Sequence, residues 1–180
     1  MNYFEFYGIE QAFSADEAAV KRKFYQLSKE YHPDFYVNDS LEKQQEILEL
    51  STLNNKAFQV LSKPEKRLEY ILQLHNQIAE GDKYQLSQDF LMEMMEINES
   101  LMELEFDFDA AALENINKQI FSVEEDLLLE LNMNTSRFDK SQNQEEKELF
   151  LLKIKDLYYR QKYLLRIKDR LNTFAHRYGK

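Results

Sequence analysis

The chain has 180 residues, with 23 Lys and Arg against 33 Asp and Glu for a net charge of −10, and it contains no cysteine. That acidic balance opposes binding to phosphate backbones, so nucleic acid is excluded as the main partner. The lack of thiols rules out disulfides, thiolate zinc sites, cysteine-ligated iron–sulfur clusters and thiol catalysis. Three Gly and two Pro leave so few turn residues that long helices must account for most of the chain.

Met1 to Glu5 lacks the charged and apolar regions of a secretory signal, and no apolar run reaches the roughly 18 residues of a membrane span. A cytoplasmic protein that does not enter a membrane is expected. The first predicted element is a short aromatic helix over Tyr3–Gly8. The next follows Ser14, where Val20, Phe24, Leu27 and Tyr31 share one helical face and Ser14 with Glu17 reads as a capping box. That helix must stop near Tyr31, because Pro33 disfavours a helical residue before it and has no N–H to donate. His32-Pro33-Asp34 therefore lies in a turn or loop.

After a connection from Phe35 to Ser40, the periodic run Ile47, Leu50, Asn54, Ala57, Phe58 and Leu61 predicts a second long helix, antiparallel to the first. Ser62-Lys63-Pro64 ends it, and Pro64 suits the first turn of a further short helix through Leu74. The apolar period lapses from His75 to Gln85, around Gly81-Asp82, which sets the domains at 1–76 and 87–180 with a linker over 77–86. The first 76 residues hold 9 basic and 12 acidic side chains, net −3, and the remainder 14 and 21, net −7. Three more helices are predicted at Ser87–Glu105, Asp109–Asn132 and Gln144–Tyr178, separated by Phe106-Asp107-Phe108 and by the polar run Asn134–Asn143. The expected fold class is all-α: a helical hairpin with short flanking helices, followed by a three-helix bundle with no repeat of fixed period.

On the first long helix Arg22 and Lys29 lie almost opposite the apolar stripe, with Gln26 between them and Lys21 and Lys23 nearby, so a basic ridge runs toward the tripeptide. By itself such a ridge is most simply a solvated helix face. Together with the segment Lys21-Arg22-Lys23-Phe24-Tyr25-Gln26-Leu27-Ser28-Lys29-Glu30-Tyr31-His32-Pro33-Asp34, however, the sequence resembles the J-domain family, whose hallmark is a His-Pro-Asp tripeptide in the loop after a basic helix. Asn2-Tyr3-Phe4, Phe6-Tyr7-Gly8-Ile9, Asn55 to Leu61 and Pro64-Glu65-Lys66-Arg67 look like the HscB members of that family, as does the stretch from Phe90 to Glu103.

The resemblance implies a co-chaperone that stimulates a DnaK/HscA-type ATPase chaperone through His32, Pro33 and Asp34, with Arg22, Lys29, Lys21, Lys23 and Gln26 forming the flanking contact surface. Pro33 would fix the turn, and Asp34 would accept a charge-assisted hydrogen bond from a cation of the ATPase. The chain departs from the family in one respect: many J-domains follow the tripeptide with Lys or Arg, and here Phe35-Tyr36 follows it.

The helix from Ser87 carries more apolar surface than one packing seam needs. Phe90, Met94, Ile97, Leu101 and Leu104 make a core stripe, while Leu91, Met95 and Met102 lie about 100–140° away and Met92 falls among carboxylates. No Lys or Arg occurs between Lys83 and Lys118. Either a second helix of the bundle covers this strip, or it is a docking face for which adaptable Met side chains suit a partner. The HscB resemblance implies docking of an iron–sulfur scaffold of the IscU type through Leu91, Met92, Met95, Glu96, Glu99 and Glu103, with Tyr159 of the last helix contributing. Part of the acidic surface is expected to pair with the basic last helix, which carries Lys153, Lys155, Arg160, Lys162, Arg166, Lys168 and Arg170.

Enzyme classes fit poorly. There is no Gly-rich phosphate loop, no helical His pair and no Glu-x-x-His motif, so no catalytic residue, metal site or cofactor is expected. The alternatives left open are a J-domain co-chaperone with a different client and a non-catalytic helical scaffold protein.

Overall fold

The computed structural model describes residues 1–178, and they are predominantly helical with no strand among them. Seven α-helices follow in order: α1 Tyr3–Tyr7, α2 Glu17–Glu30, α3 Leu41–Leu61, α4 Pro64–Leu74, α5 Gln88–Phe106, α6 Ala110–Lys140 and α7 Gln144–Tyr178, with a 3-10 turn at Pro33–Tyr36. They form two units, Met1–Ile78 and Ala79–Lys180.

Local sequence sets the helix ends of the first unit. Asn2 and Glu5 exchange side-chain and backbone hydrogen bonds in a capping box that starts α1, and Gly8 ends it in the left-handed region at φ 62°. α2 begins differently from the Ser14 capping box expected above. Its N-cap is Asp16, whose carboxylate accepts from the backbone N–H groups of Ala18 and Ala19 at 2.9 and 3.1 Å. A charged acceptor that satisfies two free N–H groups and faces the positive end of the helix dipole outcompetes a serine two residues earlier. Ser40 caps α3, and Pro64 occupies the first turn of α4, where a missing N–H costs nothing.

α2 and α3 run antiparallel. Phe24 stacks on Phe58 with centroids 4.2 Å apart, and four residues further along α2, Ser28 meets Asn54, four residues earlier on α3. Their apolar faces close with α1 and α4 over Phe4, Tyr7, Val20, Leu27, Ile47, Ala57, Leu61, Ile71 and Leu72, all buried. Two buried polar side chains pin this core. Asn54, 1 % exposed, donates to the Phe24 carbonyl and to Ser28 Oγ, and its Oδ1 accepts from the Tyr7 hydroxyl. Arg67 donates to the carbonyls of Phe13 and Leu61, tying the segment before α2 to α4.

In the second unit α5, α6 and α7 form an up-down-up bundle. Glu124 of α6 pairs with Lys168, and Phe138 lies under Lys147, so α6 and α7 are antiparallel. Phe90 lies beside Arg160 and Tyr163, and Glu105 beside Arg170, so α5 runs parallel to α7. α6 is longer than its sequence pattern predicts: the expected end at Asn132 and the polar separator from Asn134 are both overturned, because the helix continues to Lys140. The reason is tertiary. Leu131, Asn134 and Phe138 are all buried on the side facing α7, and the Asn134 amide donates back to the Glu130 carbonyl at 2.8 Å, so the polar side chains do not break the helix. Before α5, Tyr84 is fastened to α7. Its ring stacks on Tyr159 at 4.5 Å, and its hydroxyl donates to the Asp156 carboxylate at 2.9 Å.

Candidate functional site

The tripeptide sits where α2 has run out of hydrogen-bonding capacity. His32 is extended at φ −75° and ψ 120°, and Pro33 opens the 3-10 turn, where its fixed φ is already suitable. The His32 Nδ1 accepts from the Asp34 backbone N–H at 3.3 Å, and the Phe35 N–H donates to the His32 carbonyl at 3.1 Å. These bonds hold the backbone while leaving the side chains outside: the Asp34 side chain is 82 % exposed. Two clamps keep the turn in place. The Tyr36 hydroxyl donates to the Glu30 carbonyl at 2.8 Å, at the C-terminal end of α2, and Gln44 of α3 donates to the carbonyls of Val37 and Asp39. The tripeptide is therefore displayed at the tip of the α2–α3 hairpin on an ordered support.

Beside it, Lys21, Arg22, Gln26 and Lys29 are exposed and Lys23 is half-buried. Arg22 approaches Asp16 at 3.7 Å with both side chains mostly in solvent, a pair worth at most about 1 kcal/mol and readily exchanged for another carboxylate. Lys29, in the last turn of α2, complements the negative end of that helix while its head group stays free. An exposed carboxylate at the tip and a row of cations along α2 make a surface that can grip a partner bearing the reverse arrangement.

On α5, Phe90, Met94, Ile97, Leu101 and Leu104 are buried, as the core stripe predicts. α6 and α7 both pack on that side, so Met92 and Met95 stay 57 % exposed, and Met102 is exposed as well. Leu91 is half-buried at the edge of the packed surface, while Glu96, Glu99 and Glu103 are exposed beside the methionines. Tyr159 stands half-buried on α7. Tyr84 covers one face of its ring, Tyr158 meets it edge-on at 5.3 Å, and burial followed by the nearby Asp82 charge pushes its phenol pKa up.

The basic side chains of α7 meet both carboxylates and aromatic rings, and Glu105 of α5 is among the carboxylates they pair with. Lys168 reaches Glu124, Arg170 reaches Glu105 and Arg160 reaches Asp156 at 2.7 Å, while Lys155 lies over Tyr84, Arg160 also over Phe90, Lys162 over Tyr158 and Arg166 over Tyr163, at 4.7 to 5.7 Å. Of the carboxylates between Asp89 and Glu114, those on the exposed side of α5 keep their charge available to a partner. Sequence reasoning missed Tyr84 altogether and gave Asn54 and Arg67 no role as anchors. For Asn54 a signal existed, a polar residue in phase with an apolar stripe.

Comparison with known families decides the identity of the two units. A model of the DnaJ domain matches residues 2–70, and a model described as the HSCB C-terminal oligomerisation domain matches residues 86–172. The chain belongs to the HscB-type J-domain proteins. The human co-chaperone protein HscB superposes with a TM-score of 0.70 at 27 % identity, over 96 % of this chain and 81 % of that one. The chaperone HscB from Vibrio cholerae shares the fold, with a TM-score of 0.65 at 24 % identity over 98 % and 99 % of the two chains. HscB-type proteins are co-chaperones, and a J-domain implies an Hsp70-type chaperone as partner. Among the described residues no helix is long and apolar enough to cross a membrane, and no group of three or more His, Asp or Glu side chains is placed to hold a metal ion.

Proposed function

We propose that this HscB-type chain stimulates the ATPase of a DnaK/HscA-type chaperone through His32, Pro33 and Asp34, and delivers to it an iron–sulfur scaffold protein of the IscU type held on α5. The observation that carries the first half is the display of the tripeptide: an exposed Asp34 carboxylate on a backbone fixed by Pro33, the His32 and Phe35 hydrogen bonds and the Tyr36 clamp. Asp34 accepts a charge-assisted hydrogen bond from an Arg or Lys of the ATPase. Arg22 and Lys29, with Lys21, Lys23 and Gln26, meet carboxylates around that cation and speed and orient the encounter. His32 supports the turn and performs no proton transfer.

For the second half, Leu91, Met92 and Met95 supply adaptable apolar contact, and Glu96, Glu99 and Glu103 favour a client with basic side chains around an apolar centre. Tyr159 adds what Tyr84 leaves open of its ring. Because both contacts lie on one chain, client capture raises the effective concentration of client at the ATPase without any new contact. The compartment that holds both partners, the cytoplasm, is where the chain works. The test is a pair of titrations, of the chain into an Hsp70-type ATPase with hydrolysis as readout and into an iron–sulfur scaffold with heat as readout. Stimulation and binding together support the proposal, stimulation without scaffold binding leaves a J-domain protein with another client, and no stimulation refutes it.

A further inference from the structure

Around the tripeptide the exposed surface is not only charged. Phe35 is 67 % exposed and Tyr25 60 % exposed, and Val37 and Leu41, just beyond the 3-10 turn, are exposed too. Neither aromatic ring is outside for want of an anchored neighbour. Phe24 turns inward and stacks on Phe58 while Tyr25, next to it, faces out, and Tyr36 turns in to clamp Glu30 while Phe35 faces out beside the His32 ring at 5.5 Å.

Tyr25 stands three residues after Arg22 and four before Lys29, so it shares their exposed face of α2. Phe35 stands next to Asp34 at the point where many J-domains carry a cation. The apolar exposure is therefore continuous with the charged groups of the proposed chaperone contact. Aromatic rings interleaved with an Arg and a carboxylate are the composition found at the energetic centre of protein interfaces, whereas a purely encounter-steering surface needs charge alone.

We propose that Phe35 and Tyr25 are partner-selecting contacts of this J-domain: the matching ATPase offers an apolar pocket for Phe35 beside the cation that meets Asp34, and a smaller apolar contact for Tyr25 between the carboxylates that meet Arg22 and Lys29. The inference rests on the function proposed above. It assigns to apolar burial part of the affinity that a Lys or Arg after the tripeptide would supply by charge, so binding to the matching ATPase depends less on salt than a cationic loop would.

The experiment measures stimulated ATP hydrolysis by an Hsp70-type ATPase as a function of the concentration of the intact chain, at low and at high salt. The unaltered chain is compared with Phe35→Ala, Phe35→Lys and Tyr25→Ala, with Asp34→Asn as reference and circular dichroism as a check of folding. The expected result is a half-maximal concentration raised about tenfold or more by Phe35→Ala at both salts and several-fold by Tyr25→Ala. Phe35→Lys is expected to show a steeper salt dependence than the unaltered chain. Phe35→Ala and Tyr25→Ala curves that overlay the unaltered one, beside an inactive Asp34→Asn, overturn the aromatic contact and leave the tripeptide mechanism standing. An unaltered chain that stimulates no more than Asp34→Asn overturns both.

Discussion

Replacing Asn54 by alanine tests whether the hairpin that displays the tripeptide is held by its buried polar hub. The substitution removes three side-chain hydrogen bonds, from Asn54 Nδ2 to the Phe24 carbonyl and Ser28 Oγ and from the Tyr7 hydroxyl to Oδ1. The Tyr7 hydroxyl keeps its bond to the Asn54 backbone carbonyl at 3.1 Å, so it is not left bare. At about 0.5–1.5 kcal/mol for each lost bond, the cost is about 3 kcal/mol. A unit of 78 residues has a total stability of roughly 4–12 kcal/mol, so the variant folds at room temperature but opens more often. Residue-resolved hydrogen exchange of the whole chain is the assay. Protection in α2 and α3 is expected to fall about 100-fold, the equivalent of about 3 kcal/mol, while α6 and α7 keep theirs. Unchanged protection in α2 and α3 refutes the hub, and equal losses in α6 and α7 refute its confinement to the first unit.

Three further outcomes are expected. Leu91→Ala with Met95→Ala should weaken binding of an IscU-type scaffold by about tenfold or more in titration calorimetry while leaving ATPase stimulation unaltered; equal affinity would place the client elsewhere. Arg22→Ala with Lys29→Ala should slow association with the ATPase and flatten its salt dependence, read by stopped-flow at several ionic strengths. The Tyr84 pKa is pushed up to about 12, first by burial and then by its bond to Asp156. The unfolded chain loses that proton near the ordinary value of about 10, so stability from this bond is complete below it and declines as pH rises toward 12. Tyr84→Phe should therefore shallow the alkaline decline seen in denaturant titrations, and identical slopes would show that the hydroxyl contributes nothing.

Much of the fold was legible because its signals are local. Pro33 and Pro64 mark two helix boundaries, Ser40 and Ser87 cap the helices that follow them, and the apolar periods of α2, α3 and α5 name the residues found in the cores. The misreadings fall where competition or distance decides. Ser14 and Asp16 both offer an N-cap, and the choice falls to Asp16, whose carboxylate satisfies two N–H groups at once. Asn134 and its polar neighbours look like a helix end until α7 supplies a partner surface that keeps them helical. Whether Met95 is covered depends on which side of α5 its two neighbours occupy, and nothing in the local period carries that. Tyr84 pairs with a residue 75 positions away, which leaves no trace in its own segment. The candidate site divides in the same way: the tripeptide and ridge follow from neighbours in sequence, and the exposure of Phe35 from the Tyr36 clamp beside it.

The most direct measurement is single-turnover ATP hydrolysis by an Hsp70-type chaperone in the presence of the intact chain carrying Asp34→Asn. The substitution replaces one exposed oxygen by an amide nitrogen, removes a charge and disturbs no buried contact, so folding measured by circular dichroism should match the unaltered protein. Loss of stimulation in that folded protein is the predicted result, and stimulation equal to that of the unaltered chain would contradict the role given to the tripeptide.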